Sequence, residues 1–166
     1  MLLNKKKINL YQKNGVVALY DVIDKRWIKK LKMGINKNFS KPSKYKCVYE
    51  KKDNKELFYD DYCNWKNIPE YKDFLFNSIL AKIAAELMNS KKVNLFHEHV
   101  LIKEAGAKKN TPWHQDQSYY CVEGKQNVSF WIPLDNVAKS TSPEFIIKSH
   151  KWKKKIYTYK ILWKYI

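Results

Sequence analysis

Apolar positions recur at helical spacing in two stretches of the chain. Trp27, Ile28, Leu31 and Ile35 share one face of a 3.6-residue repeat, and Asp24 just before them is a residue type that caps helix N-termini. A helix is therefore predicted from Asp24 through Ile35. Ile79, Leu80, Ile83, Leu87 and Met88 form a second, denser stripe, with Ser78 placed to cap it, and this stripe reads as core. Ahead of both helices, a charged tail runs into a short amphipathic stretch, Ile8 to Lys13. Asn14-Gly15 then signals a turn before the β-rich run Val16 to Tyr20. Residues 37–55, carrying Ser, Pro, Lys and Asn, read as a loop. After Asn89-Ser90 the pattern changes to β-branched and aromatic runs: Val93 to Ile102, Thr111 to Tyr120 and Val128 to Leu134, punctuated by Gly106 and Gly124. Ser142-Pro143 introduces a last short strand, Phe145 to Ile147. Helices first and strands afterwards, with no internal repeat and no linker, predict a mainly β chain with N-terminal helices (α+β). The expected architecture is a helix-buttressed antiparallel sandwich or jelly roll.

Length and composition agree with a single folded domain. The chain has 166 residues, 45% of them hydrophobic, and its 6 Trp, 12 Tyr and 7 Phe argue against disorder. No apolar run approaches the roughly 20 residues that span a bilayer, and Met1-Leu2-Leu3 is followed at once by charge. Neither a membrane span nor a secretion signal is expected. Cys47, Cys63 and Cys121 are an odd count without CxxC spacing, which points to a reduced, cytoplasmic protein rather than a disulfide framework. Cys121 is expected to be a buried bystander.

The charge is extreme, with 33 basic against 16 acidic residues and a formal net charge of +17. Such a balance invites nucleic acid, yet Arg26 is the single arginine, and the lysines are spread along the whole chain. Two clusters stand out, Lys5-Lys6-Lys7 and the run from Lys151 to Lys155. A solvated basic surface explains this pattern better than a phosphate-binding groove, so neither nucleic acid nor a membrane is the expected partner.

Candidate chemistry lies in Pro112-Trp113-His114-Gln115-Asp116-Gln117. On a strand, His114 and Asp116 project from the same face, and together they make two-thirds of the 2-His-1-carboxylate triad that holds Fe(II). The bare motif also arises as a simple hydrogen-bonding pair. Its surroundings are more specific. The stretch from Leu95 to Glu104 leads into Thr111 to Gln117, and then come Val128-Ser129-Phe130-Trp131-Ile132-Pro133-Leu134-Asp135 and the block from Pro143 to Trp152. This succession resembles the phytanoyl-CoA dioxygenase family of Fe(II)- and 2-oxoglutarate-dependent oxygenases. The similarity reaches back through Trp65 and the helix ending at Leu87-Met88, over roughly residues 15–152.

The resemblance implies a partial double-stranded β-helix with His114 and Asp116 as metal ligands. Gln115, Trp131 and Val100 are implied around the cosubstrate. Fe(II), 2-oxoglutarate and O2 would be the cofactor and cosubstrates, and a small organic molecule the substrate to be hydroxylated. Two family features have no counterpart here. The family takes its second ligand histidine, and then an arginine for 2-oxoglutarate, from later strands. This chain's one histidine after Asp116 is His150, which aligns with a Ser-His turn. Residues 153–166 form a basic aromatic tail that does not match the family, so residues 1–152 are expected to be an N-terminal portion of the oxygenase domain. Little or no turnover is expected from this form. The alternatives are a non-catalytic remnant, a subunit completed by another chain, or a basic nucleic-acid-binding protein. Exposed sheet edges would favour self-association. His97 and His99 share a strand face and could join His114 in a three-histidine site, although packing or surface roles are the simpler reading. His150 as a substitute ligand and Lys103 as a cation for an anionic ligand are lesser candidates. Trp113, Trp131 and Trp152 read as core or pocket wall.

Overall fold

The computed structural model describes residues 2–49, 57–105, 107 and 110–156. Seven regular elements occur in chain order: α1 (Lys5–Asn14), α2 (Lys25–Ser40), β1 (Cys47–Val48), β2 (Phe58–Tyr62), α3 (Pro69–Asn77), α4 (Leu80–Met88) and β3 (His99–Lys103). Three single-turn 3-10 segments follow, at Asp116–Ser118, Lys139–Thr141 and Ser149–Lys151. None of the described helices is long and apolar enough to cross a membrane. The described residues group into two compact units. One draws on the described residues within 2–24, 79–94 and 113–156, the other on those within 25–78 and 95–112.

In the second unit, α2 and α3 pack antiparallel. Trp27 meets Phe74 edge-on at 5.5 Å, Lys30 pairs with Asp73, and Lys37 pairs with Glu70, so contacts descend α3 as they climb α2. Gly34 lies at the closest approach, where a Cβ would stand 2.6 Å from the Tyr71 ring. The sheet has the order β1-β2-β3 and is antiparallel throughout, with Cys47 opposite Asp60 and Asp61 opposite Val100. Alternation along β2 sends Tyr59 and Asp61 to one face. There Asn38 of α2 donates to the Tyr59 hydroxyl and to Asp61 Oδ2, both at 2.8 Å. Asp61 also accepts from the Ser43 N–H and hydroxyl, the Tyr59 hydroxyl and the Tyr62 N–H. Asn64 donates to Asn38 Oδ1 and the Lys41 carbonyl, which joins the end of α2 to the turn before α3.

The first unit is built on a small apolar nucleus. Leu3, Ile83 and Leu87 are buried together, ringed by Ile8, Tyr11, Val17, Leu19, Val22, Ile79, Val128 and Phe130. Asn4 caps α1 by accepting from the Lys7 N–H at 2.9 Å. Gly15 closes the helix at φ 83° and returns its N–H to the Tyr11 carbonyl. Oxygens of Glu86 in α4 accept from the N–H groups of Leu2 and Leu3 at 2.6 and 2.8 Å, holding the chain start on the nucleus.

The helices match expectation in kind but not in extent. The stretch from Ile8 to Lys13 is part of a full helix, and α2 continues past Ile35 to Ser40. Ser78 does not cap α4: it is the C-cap of α3, its N–H bonded to Phe74, and Ile79 occupies the α4 N-cap position without a side-chain bond. The segment read as a loop over 37–55 holds the end of α2 and β1, and residues 50–55 of it lie outside the described residues. Neither β2 nor α3 announces itself, because two acids sit mid-strand in Phe-Tyr-Asp-Asp-Tyr and α3 is a short, mixed helix. Val16 to Tyr20 does not form a strand, and the predicted strand Val93 to Ile102 contracts to the residues of β3.

The runs 111–120, 128–134 and 145–147 do not form strands, so the described residues make an α+β arrangement with an open three-stranded sheet that does not close into a jelly roll among them. The physical reason is visible in their backbone bonds. Ser118 bonds Gln115, Tyr119 bonds Asp116 and Ser149 bonds Ile146, all local turn closures. Alternation still serves packing, since Val128 and Phe130 both reach the Leu3–Ile83–Leu87 nucleus. A strand needs a ladder partner as well as an apolar face. Cys121, expected to be buried, is exposed because it sits between the Asp116 turn and Gly124, away from that nucleus.

Two consequences can be measured. Gly34→Ala should lower stability by about 1–3 kcal/mol, because the clash with Tyr71 outweighs the roughly 1 kcal/mol that alanine gains inside a helix. A rise in the urea midpoint would show that α2 and α3 separate freely. The Lys37 ammonium holds the Glu70 carboxyl below its ordinary value against the opposing effect of burial. A depressed carboxyl stabilises above its unfolded pKa, and that contribution disappears as pH falls through the folded one. Glu70→Gln should therefore cost about 1 kcal/mol at pH 7, a modest figure because Lys37 is half-exposed, and progressively less as pH falls below the ordinary glutamate value and through the depressed folded one.

Candidate metal centre

The segment Trp113 to Gln117 runs extended through Gln115 (φ −113°, ψ 120°) and then tightens into the 3-10 turn Asp116–Ser118. The bend changes the backbone expected for the motif, yet it brings the two side chains together. Nε2 of His114 stands 3.1 Å from Oδ1 of Asp116. The other carboxylate oxygen faces the Ser129 hydroxyl at 3.2 Å and the Tyr120 hydroxyl at 3.4 Å, and those two hydroxyls lie 3.2 Å apart. The His114 hydrogen bond keeps the Asp116 carboxyl below the ordinary carboxylate range, against desolvation, with help from Ser129 and Tyr120. The imidazole edge also meets the Tyr119 ring at 6.2 Å. Asp116 is thus held ionised and oriented, as a metal-ligating carboxylate requires.

Two ligands bound at right angles about 2.1 Å from one octahedral ion stand about 3.0 Å apart, so this pair fits two adjacent coordination positions. A complete facial triad is a different matter. Among the described residues, no group of three His, Cys, Asp or Glu side chains gathers where it could hold a metal ion. The donor set therefore fits two positions of the triad and not the third.

The remaining candidates are used elsewhere. His150 turns its Nε2 to the Gln12 carbonyl at 3.3 Å, at the C-terminal end of α1. Lys148 N–H bonds Asn14 alongside it, and a Cβ on Gly15 would stand 2.2 Å from His150 Nδ1. His150 is thereby packed against a helix end, where a ring nitrogen meets unsatisfied carbonyls. His99 stacks on Tyr62 at 3.9 Å and stands 3.8 Å from Asp60, while His97 meets Tyr62 edge-to-face at 6.0 Å and Phe96 at a tilt at 4.7 Å. Lys103 lies over the Phe58 ring. Val100 is on β3 opposite Asp61, in the second unit. Arg26 lies over the Trp27 ring on α2.

Beside His114 a cleft of about 110 Å3 is walled by Trp113, Phe145, Ile146, Trp152 and Ile156, with Glu144, Gln115 and Ser149 as its polar members. Trp113 and Trp152 line this cleft, whereas Trp131 is half-exposed and outside it. Gln115 is engaged within the protein: its Nε2 donates to the Ser149 carbonyl at 3.1 Å, and its Oε1 accepts from the Ile156 N–H at 2.9 Å. Sequence reasoning did not single out Ser129 or Tyr120. Tyr120 lies one turn after Asp116, a relation that a strand reading hides.

An imidazole and an oriented carboxylate two residues apart, backed by hydroxyls beside an aromatic cleft, define a candidate metal site of the histidine–carboxylate class. The phytanoyl-CoA dioxygenase (PhyH) family profile matches residues 11–161, and the chain belongs to that family. No curated protein and no solved structure matches the chain significantly.

The bridging role of Gln115 can be read directly. Gln115→Ala should unpin the backbone at Ser149 and Ile156, raising amide hydrogen exchange at Ile156 at least tenfold by NMR. Gln115→Glu keeps the acceptor and should leave Ile156 protected. Equal exchange in both variants would show that the glutamine pins nothing.

Proposed function

We propose that this protein is an Fe(II)- and 2-oxoglutarate-dependent oxygenase-like domain in which His114 and Asp116 are the metal ligands. The observation that carries this reading is the 3.1 Å approach of His114 Nε2 to Asp116 Oδ1 inside the region that matches the family. When bound, iron in this family supplies oxidative decarboxylation of 2-oxoglutarate coupled to oxidation of a substrate C–H bond. The chain's own part is more limited. His114 and Asp116 offer two donors, Ser129 and Tyr120 orient the carboxylate, and Trp113, Phe145 and Trp152 shield one side of the site from water. No third protein donor and no cation for the distal carboxylate of 2-oxoglutarate stands out in this set. The reading therefore includes weak metal binding and little or no turnover by this chain alone. The substrate of this reading is a small organic molecule.

Anaerobic Fe(II) titration, with and without 2-oxoglutarate, tests this. His114→Ala and Asp116→Ala should each weaken metal binding at least about tenfold, and His150→Ala should leave it unchanged. Tight binding that survives His114→Ala would remove the site. Robust Asp116-dependent succinate formation would overturn the expectation of low turnover and make the search for a third ligand the next step.

A further inference from the structure

We propose that residues 143–156 form a contact surface for an anionic lipid bilayer. Every residue of this segment except the half-buried Ser149 is exposed. Phe145, Ile146, Ile147, Trp152 and Ile156 leave between 42% and 57% of their surface in solvent, an unusual concentration of large apolar side chains in fourteen residues. Phe145, Ile146, Trp152 and Ile156 converge with Trp113 on the walls of one cleft, so they share a neighbourhood rather than scatter. Between them stand Lys148, Lys151, Lys153, Lys154 and Lys155, against a single acid of the segment, Glu144. Lys155 also meets Glu123 at 2.7 Å, and the other four lysines carry the positive field.

Aromatic and aliphatic side chains interleaved with lysines suit the interface of a bilayer, where rings and branched chains enter the headgroup boundary and ammonium groups remain with lipid phosphates. Three features choose this occupant. A second copy of the chain would bring another +17 charge against the lysines, and self-repulsion opposes that contact. Nucleic acid would use arginine and aromatic stacking, whereas this segment has no arginine and presents three isoleucines. An anionic lipid surface satisfies the charge and the aliphatic side chains together. Such a contact requires no membrane-spanning helix, so the absence of a long apolar run in the sequence does not oppose it. It is also independent of whether the metal site is active.

Vesicle co-sedimentation of the full chain is the test, using phosphatidylcholine alone and phosphatidylcholine with about 30% phosphatidylserine. The anionic vesicles should bind at least tenfold more tightly, and 0.5 M NaCl should abolish most of that difference. Each lysine near such a surface strengthens binding about fivefold, so Lys153→Glu with Lys154→Glu should lower partitioning by about twentyfold or more. Phe145→Ser with Ile146→Ser should weaken binding with the lysines intact, and far-UV circular dichroism identical to wild type would confirm that the fold is kept. Equal binding to both vesicle types would reduce the surface to non-specific apolar exposure and overturn the proposal. No binding to either, or displacement from anionic vesicles by equimolar duplex DNA, would overturn it as well.

Discussion

Burying the Asp61 carboxylate in the middle of β2 is the constraint on which the second unit depends. An ionised carboxylate in a core is costly unless its lone pairs are all met. Here they are met by neutral donors from four places: Asn38 in α2, Ser43 in the following turn, Tyr59 on the same strand face and the Tyr62 backbone. Asn38 is in turn tied down by Asn64, which also donates to the Lys41 carbonyl. The end of α2, the turn to β1 and the start of α3 thus share one polar centre. It lets β2 carry a buried Asp61 where an apolar side chain would otherwise be required.

The first unit follows the opposite plan. Its nucleus is three buried aliphatic residues with a half-buried ring, and polar ties at the rim hold the segments in place. Glu86 grips the chain start, Tyr11 reaches Asn127, and Gln126 reaches the end of α4. His150 and Lys148 close on the C-terminal end of α1. The small nucleus leaves the segment from Pro143 to Ile156 exposed, with its aromatics around the cleft beside His114.

At the candidate metal centre, orientation and completeness separate. The Asp116 carboxylate is supported by hydroxyls on one oxygen and approached by His114 on the other, an arrangement suited to ligation. A facial triad derives its strength from three donors fixed together, and two donors leave the remaining positions to water or a bound acid. Family membership and a well-oriented pair are therefore compatible with weak metal binding.

The sequence by itself determined what local physics dictates. The helical stripe of α4 was legible because its apolar repeat needs no partner to be recognised. The His114–Asp116 pairing was legible because two residues of separation suffice to bring them together, though on a bent turn instead of the expected strand. The succession of motifs was likewise enough to identify the family. Tertiary structure decided the rest, because it depends on partners distant in the chain. Whether the β-branched runs after Thr111 become strands depends on ladder partners, and the runs around Asp116 and Ile146 close local turns instead. Whether Asp60 and Asp61 can sit in a strand depends on Asn38, Ser43, Tyr49 and Tyr59 arriving around them. The role of His150 depends on Gly15, 135 positions earlier, having no side chain where the imidazole lies. A periodic pattern shows which face of an element is apolar, but only the folded chain supplies what that face and its backbone will meet.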